Sequence, residues 1–207
     1  TLKNISFKAN KGETIAILGS TGSGKTTLIN LIPRFFDATE GEILIDGVNV
    51  KDYVQENLHN KIGYVPQKAV LFNETIKNNV DYGENGKKKK TDKQIKEAIR
   101  VAQGTEFVEK MDGDYNAHIA QGGTNISGGQ KQRLSIARAI ARNPEIYIFD
   151  DSFSALDYKT DYKLRKDLKE YTKNVTSIIV AQRIGTVMHA DKILVLDDGE
   201  CVRNRNS

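Results

Sequence analysis

Gly19-Ser20-Thr21-Gly22-Ser23-Gly24-Lys25-Thr26-Thr27 follows directly on Thr14-Ile15-Ala16-Ile17-Leu18 and leads into Leu28-Ile29-Asn30-Leu31-Ile32. The run before it is short, apolar and partly β-branched, which predicts a buried strand, and Lys25 to Ile32 predicts a helix. Between them the spacing G-x-x-x-x-G-K-T lets backbone N–H groups of a glycine loop converge on phosphate oxygens at a helix N-terminus. In such a loop Lys25 reaches the β and γ phosphates of a nucleotide, and Thr26 supplies a hydroxyl to Mg²⁺. A strand that ends in this loop and re-enters as a helix is the opening unit of a parallel α/β sheet.

The pattern outward from the loop alternates in the same way. Ile5, Phe7 and Ala9 alternate with polar neighbours as a strand would, and Lys11-Gly12 makes a turn. Glu42 to Ile45 and Val48 to Val50 flank Asp46-Gly47, a hairpin signal, and Ile62 to Val65 is a short strand stopped by Pro66. From Thr75 to Arg142 strand signals nearly vanish. Lys93 to Ala102, Glu106 to Met111 and Gln130 to Ala141 instead carry apolar residues at helical spacing. Beyond Asn143-Pro144 the alternation returns, with strands at Ile146 to Phe149, Ser177 to Val180 and Ile193 to Leu196 and a helix from Thr160 to Tyr171. One domain over 1–207 is expected, with a core from 1–70 and 145–207 and an α-helical subdomain inserted at 71–144.

Two further stretches carry chemistry. Ile146 to Asp150 is an apolar strand ending in a carboxylate able to hold Mg²⁺, directly or through water, beside the glycine loop. Ser127-Gly128-Gly129-Gln130 opens a helix and has the makings of another phosphate cradle. One nucleotide in one chain needs one cradle, so the second points to a second subunit.

Composition closes other routes. Hydrophobic residues at 38% and charged residues at 28% are ordinary for a globular protein, and no apolar run approaches the roughly 18 residues of a membrane span. The net charge of +4 includes the single run Lys87 to Lys90, expected as a solvated, mobile loop, while other charges are mixed in sign, so nucleic acid is not indicated. The one cysteine, Cys201, excludes an internal disulfide framework. His59, His118 and His189 have no metal-ligand spacing and read as surface or packing residues, whereas Tyr158, Tyr162 and Tyr171 on one predicted helix read as packing and not base-stacking residues. The opening Thr1-Leu2-Lys3-Asn4 reads as the continuation of a longer chain.

Taken in order, these motifs resemble the nucleotide-binding domain of ATP-binding cassette (ABC) transporters, of the bacterial exporter type in which a half-transporter carries one such domain. Gly19 to Thr27 matches the Walker A motif, Gln67 the Q-loop, Ser127 to Gln130 the signature, Ile146 to Asp150 the Walker B motif, and Ser154-Ala155-Leu156-Asp157 the D-loop. The resemblance implies a P-loop NTPase core of RecA-like type, with a small antiparallel β part and the helical subdomain. It implies ATP as ligand, contacted by Gly19, Ser20, Thr21, Gly22, Ser23, Gly24, Lys25, Thr26, Thr27, Gln67 and Asp150 of one chain. From the other chain come Ser127, Gly128, Gly129 and Gln130; Asp157 of the D-loop is also implied as a contact, with Mg²⁺ held by Thr26, Gln67 and Asp150.

The implied partners are a second nucleotide-binding domain, met head to tail, and transmembrane domains that reach the Q-loop region near Leu71-Phe72 and Thr75-Ile76. Membrane association comes only through those domains, at the cytoplasmic face of a bacterial plasma membrane. The aromatic residue on which exporters stack adenine falls upstream of this sequence.

Two positions depart from the family. Where a glutamate usually follows the Walker B aspartate, this chain has Asp151, one methylene shorter. Where a histidine usually contacts the γ-phosphate, it has Gln182, in Ala181-Gln182-Arg183. Gln can hydrogen-bond but cannot carry a proton as imidazole does. Together they resemble the degenerate site of heterodimeric exporters, in which Lys25, Asp150, Asp151 and Gln182 build a slow site and the signature serves the partner's fast one. A homodimeric exporter ATPase, and a nucleotide-binding switch with little turnover, are the alternatives.

Overall fold

The structure is a computed structural model and describes residues 2–83, 85–182, 187 and 189–206, with backbone alone for 203–206. Cα packing divides the chain into two compact units, one of residues 1–64, 145–151 and 174–207, the other of 65–144 and 152–173.

The first unit is built on the strand that the glycine loop ends. β1 (Thr14–Gly19) runs into the loop and α1 (Lys25–Leu31) leaves it. β2 (Leu44–Ile45) and β3 (Val48–Asn49) form a separate antiparallel pair. Their turn, Asp46-Gly47, takes φ of 52° and 77°, the left-handed pair that an Asp-Gly hairpin turn requires. α2 (Gln55–Asn60) follows, and then β4 (Ile62–Val65), β5 (Ile146–Asp150), β6 (Thr176–Ala181), β7 (Lys192–Asp197) and β8 (Glu200–Asn206). The six-stranded sheet has the order β4-β5-β6-β1-β7-β8. β1 pairs in parallel with β6 and β7, and β5 with β6, while β8 runs antiparallel to β7.

Alternation along β1 sorts its side chains between two cores. Ile15 and Ile17 join Leu28 and Ile29 of α1, Ile148, Ile178, Val180 and Leu194 in the larger cluster. Ala16 lies with Ala181, Val187 and Ala190 in the smaller one. The expected strand at Ile5 to Ala9 does not form. Its alternation is real, since Ile5, Phe7 and Ala9 pack against the larger cluster, but the only described bridge of this segment joins Lys3 to Glu200.

The second unit is helical. It contains α3 (Ile76–Val80), α4 (Asp92–Val101), α5 (Thr105–Val108), α6 (Gly128–Arg142) and α7 (Tyr158–Thr172). α4 starts on a capping box, in which Thr91 accepts from the Gln94 N–H and the Gln94 side chain returns to the Thr91 N–H. α6 buries Leu134, Ile136, Ala137 and Ile140 and stops at Asn143, whose φ of 48° and following Pro144 cannot continue a helix.

The sequence reading assigned α7 to the core; the structure groups it with the helices. The reason is polar as well as apolar: Gln103 donates to Asp167 at 2.8 Å and the Tyr171 hydroxyl to Glu97 at 2.7 Å.

Two expectations in this unit are corrected. Tyr158 and Tyr162 do not pack but stand 86% and 63% exposed, because Leu164 and Leu168 form the buried face of α7. The lysine run is not wholly a solvated loop: Lys90 pairs with Asp81 at 3.2 Å with its side chain only 8% exposed, and Lys87 Nζ donates to Asn143 O at 2.8 Å. Among the described residues no helix is long and apolar enough to cross a membrane.

Candidate functional site

The glycine loop is shaped by what its glycines would otherwise strike. A Cβ on Gly19 would run into the backbone carbonyl of Leu196 and the Ser23 hydroxyl, so only glycine fits beside β7. Gly24 caps α1 at φ 98°, and a Cβ there would meet Leu2 Cδ2 at 2.6 Å. Gly22, at φ 84°, faces open space, with no atom within 4 Å of where a Cβ would stand. Behind the loop the Gly199 N–H donates to Ser23 O at 3.2 Å and the Lys3 N–H to Gly199 O at 2.8 Å. These bonds brace its rear.

Lys25 is buried, and its ammonium donates to Gly19 O at 2.8 Å and Ser20 O at 2.6 Å, with Ser23 Oγ at 3.4 Å. Burial pushes its pKa down while the charges of Asp151 and Asp150 push it up. The cation is therefore held over the loop by carbonyl dipoles that a phosphate would outcompete.

Asp150 ends β5 and is 5% exposed. Thr26 Oγ1 donates to its Oδ1 at 3.2 Å, and the Tyr64 hydroxyl lies 3.4 Å from its Oδ2. Burial raises the Asp150 pKa, the hydrogen bonds from Thr26 and Tyr64 lower it, and neighbouring Asp151 raises it again. A hydroxyl and a carboxylate are hard oxygen donors suited to Mg²⁺, which usually takes few protein ligands and completes its shell with water and phosphate oxygens. Thr26 and Asp150 fit the ion that the resemblance assigns to them together with Gln67.

Asp151 breaks out of the strand at φ 47°, a left-handed conformation that aspartate tolerates better than most residues, with its N–H on Val180 O at 3.1 Å. Asp150 and Val180 are register partners, so the chain beyond β6 comes level with Asp151. There exposed Gln182 donates Nε2–H to Asp151 Oδ2 at 3.2 Å. Arg183, next in that motif, lies outside the described residues. Lys25, Thr26, Asp150, Asp151 and Gln182 are thus gathered at the carboxyl ends of neighbouring parallel strands, where open α/β sheets bind ligands.

The signature belongs to the second unit. Ser127 is the N-cap of α6, in a second capping box: its Oγ accepts from the Gln130 N–H at 3.2 Å and the Gln130 side chain accepts from the Ser127 N–H at 2.8 Å. Gly128 meets no neighbouring atom where a Cβ would stand, and Gly129 lies against Ala155 O of the D-loop, 3.3 Å from such a Cβ. Ser127 and Gly128 are both exposed. The end of a fifteen-residue helix is presented outward, with its N-terminal dipole available to an anion.

Asp157 caps α7, accepting from the Thr160 N–H at 3.0 Å, and hydrogen bonding from the Thr160 side chain, then from that N–H, holds its carboxyl below the usual range. Gln67 also lies in the second unit and is exposed. Of the Q-loop neighbours, Leu71 and Ile76 are buried core, whereas Phe72 stacks on exposed Tyr82 at 4.1 Å, with the Arg138 guanidinium 5.4 and 5.6 Å from the two rings. Sequence reasoning missed Tyr64 and Asn30; their hydroxyl-amide contact at 2.9 Å leaves no motif, and only the position of Tyr64 before Val65-Pro66-Gln67 hinted at it.

Known proteins resemble this chain over most of its length. The family profile described as ABC transporter matches residues 2–154. An uncharacterized ABC transporter ATP-binding protein of Mycobacterium tuberculosis is 47% identical over 201 residues, covering 97% of this chain and 34% of that protein. A "Putative multidrug export ATP-binding/permease protein" of Staphylococcus aureus is 44% identical over the same length and shares. Among solved structures, a bacterial Atm1-family ABC exporter with ATP bound superposes with a TM-score of 0.94 at 36% identity, covering 99% of this chain and 36% of that one. The chain spans about a third of the length of the curated relatives it matches.

Proposed function

Because the chain belongs to the ABC transporter family, we propose that it is the ATP-binding and hydrolysing part of a bacterial exporter, working at the cytoplasmic face of the membrane beside transmembrane domains. Two such domains pair head to tail, each ATP lying between the glycine loop of one and Ser127 to Gln130 of the other. ATP then holds the pair together and hydrolysis releases it, a ligand-biased two-state cycle that drives the transmembrane part. The exposed Phe72–Tyr82 stack, with Val70 at 59% exposure, is the apolar surface we assign to contact with those domains.

Each residue has a stated task. The loop amides and Lys25 take the β and γ phosphates, the ammonium leaving its carbonyl partners for the stronger charge-assisted bonds. Thr26 and Asp150 hold Mg²⁺, which when bound offsets phosphate charge. Asp151 orients the attacking water and Gln182 hydrogen-bonds beside it. Asp151 is one methylene short for that task, and a displacement near 1 Å costs about a hundredfold in rate. We therefore assign this chain the slow composite site of an unequal pair, with its signature serving a faster site on a non-identical half-transporter.

The observation that carries this reading is the Gln182–Asp151 hydrogen bond, which joins the two departures into one constellation. Comparing ATP affinity with ATP turnover in this chain, alone and mixed with a candidate partner, tests it. Tight binding with slow turnover alone, and hydrolysis that rises on mixing and needs this chain's Ser127, is the expected pattern. Brisk turnover by the chain alone would overturn the slow-site assignment.

A further inference from the structure

The carboxylate of Asp150 is approached from two elements. Thr26 reaches Oδ1 from α1, and the Tyr64 hydroxyl faces Oδ2 from β4. The same hydroxyl is 2.9 Å from Asn30 Oδ1, one helical turn beyond Thr26 on α1. A phenol has one proton, so it serves one acceptor at a time. The Tyr64 ring is half-buried and packs edge-on against Phe35, centroids 5.6 Å apart at 64°. Phenylalanine would fill the same space, so packing alone does not call for the hydroxyl.

We propose that Tyr64 is a positioning residue, whose hydroxyl fixes the rotation of the Asp150 carboxylate so that it meets a divalent cation together with Thr26. The terminal torsion of aspartate is broad, and one donor on one oxygen leaves the carboxylate plane free to turn. When the phenol proton is on Asp150, donors on both oxygens, from two different elements, define that plane. Outer-shell partners of this kind orient the groups that touch a metal. Asn30 Oδ1, at 2.9 Å, competes for the same proton. This inference rests on the reading of Thr26 and Asp150 as the Mg²⁺ site.

The test titrates Mg²⁺ against binding of the fluorescent nucleotide mant-ATP to the 207-residue chain, with a parallel measurement in EDTA. Wild-type protein that gains no affinity from Mg²⁺ sinks the reading of the site itself, whatever Tyr64 does. Where that gain is present, Tyr64→Phe is expected to raise the Mg²⁺ concentration at half-saturation about tenfold, with binding in EDTA unchanged. An unchanged half-saturation overturns the proposal, and so does an equal loss with and without Mg²⁺, which marks a distorted loop. Asn30→Ala removes the competing acceptor and is expected to leave the half-saturation at or below the wild-type value. A rise there matching that of Tyr64→Phe would mean the phenol acts through Asn30, and the proposal falls.

Discussion

Gln182 Nε2 donates to Asp151 Oδ2 at 3.2 Å, although thirty-one positions separate them in the chain. Residues in contact are not independent, so changing either alone leaves the other mismatched. Asp151→Glu with Gln182→His is expected to raise ATP hydrolysis by about a hundredfold in a signature-competent dimer, the scale of a 1 Å correction. The gain should exceed the product of the two single variants. Phosphate release at saturating ATP measures it, and a double variant no faster than the better single one would argue against a joint site.

Gly19 and Gly22 carry opposite constraints within one loop. Gly19→Ala drives a methyl into the Leu196 carbonyl, which cannot retreat without disturbing the β1–β7 ladder, so a loss of about 1–3 kcal/mol in unfolding free energy is expected. Gly22→Ala meets no atom and pays only for its left-handed backbone, about 1–2 kcal/mol. ATP affinity separates them further. In the proposed nucleotide site phosphate meets the amides of this loop, and the Gly22 methyl enters the open space beside them, so the affinity loss per unit of lost stability, from urea unfolding and nucleotide titration, should be greater for Gly22→Ala.

Glu97 ties α4 to α7 and gives the helical unit an acid dependence. Arg100 contacts both its oxygens at 2.8 Å, and with the Tyr171 hydroxyl this holds its pKa at about 2 against an ordinary 4.5. A depressed carboxyl contributes stability that is present above the unfolded value and lost as pH falls through the folded one. The group is 41% exposed, so solvent screening limits the contribution to about 0.5–1 kcal/mol. Glu97→Gln should therefore be less stable than wild type at pH 7 and converge with it between pH 4.5 and 2. A difference that persists at the acid end would mean that packing, not charge, is what Glu97 supplies.

Physical locality decides how much of this could be read from the chain. The glycine loop was legible because its constraints are local: positive φ at Gly22 and Gly24 and a strand and helix on either side. β8 was not, because Glu200-Cys201-Val202-Arg203 carries no apolar alternation and takes its form from pairing with β7. The Asp198-Gly199 turn, at φ 43° and 81°, was the available signal. Asp151 and Gln182 could be marked as departures only through the family resemblance. Their contact follows from β5 and β6 being neighbours in the sheet, which no spacing reveals. Tyr64 was invisible for the same reason, since its partners lie on α1 and β5.

Ser127 does two jobs that substitution can separate. In this chain its hydroxyl caps α6 through the Gln130 N–H, and in the proposed dimer the same exposed end faces the partner's γ-phosphate. Ser127→Ala removes both, with about 1 kcal/mol lost from the cap. Aspartate caps a helix as well as serine does, so Ser127→Asp should retain the unfolding midpoint. It also sets a negative charge where the phosphate must arrive, against the favourable helix dipole. The two readouts should therefore rank oppositely: Ala less stable than Asp by thermal unfolding, Asp weaker than Ala in ATP-dependent pairing by sedimentation. If pairing instead follows stability across wild type, Asp and Ala, the signature acts here through the fold of α6 and not through phosphate contact in a partner's site.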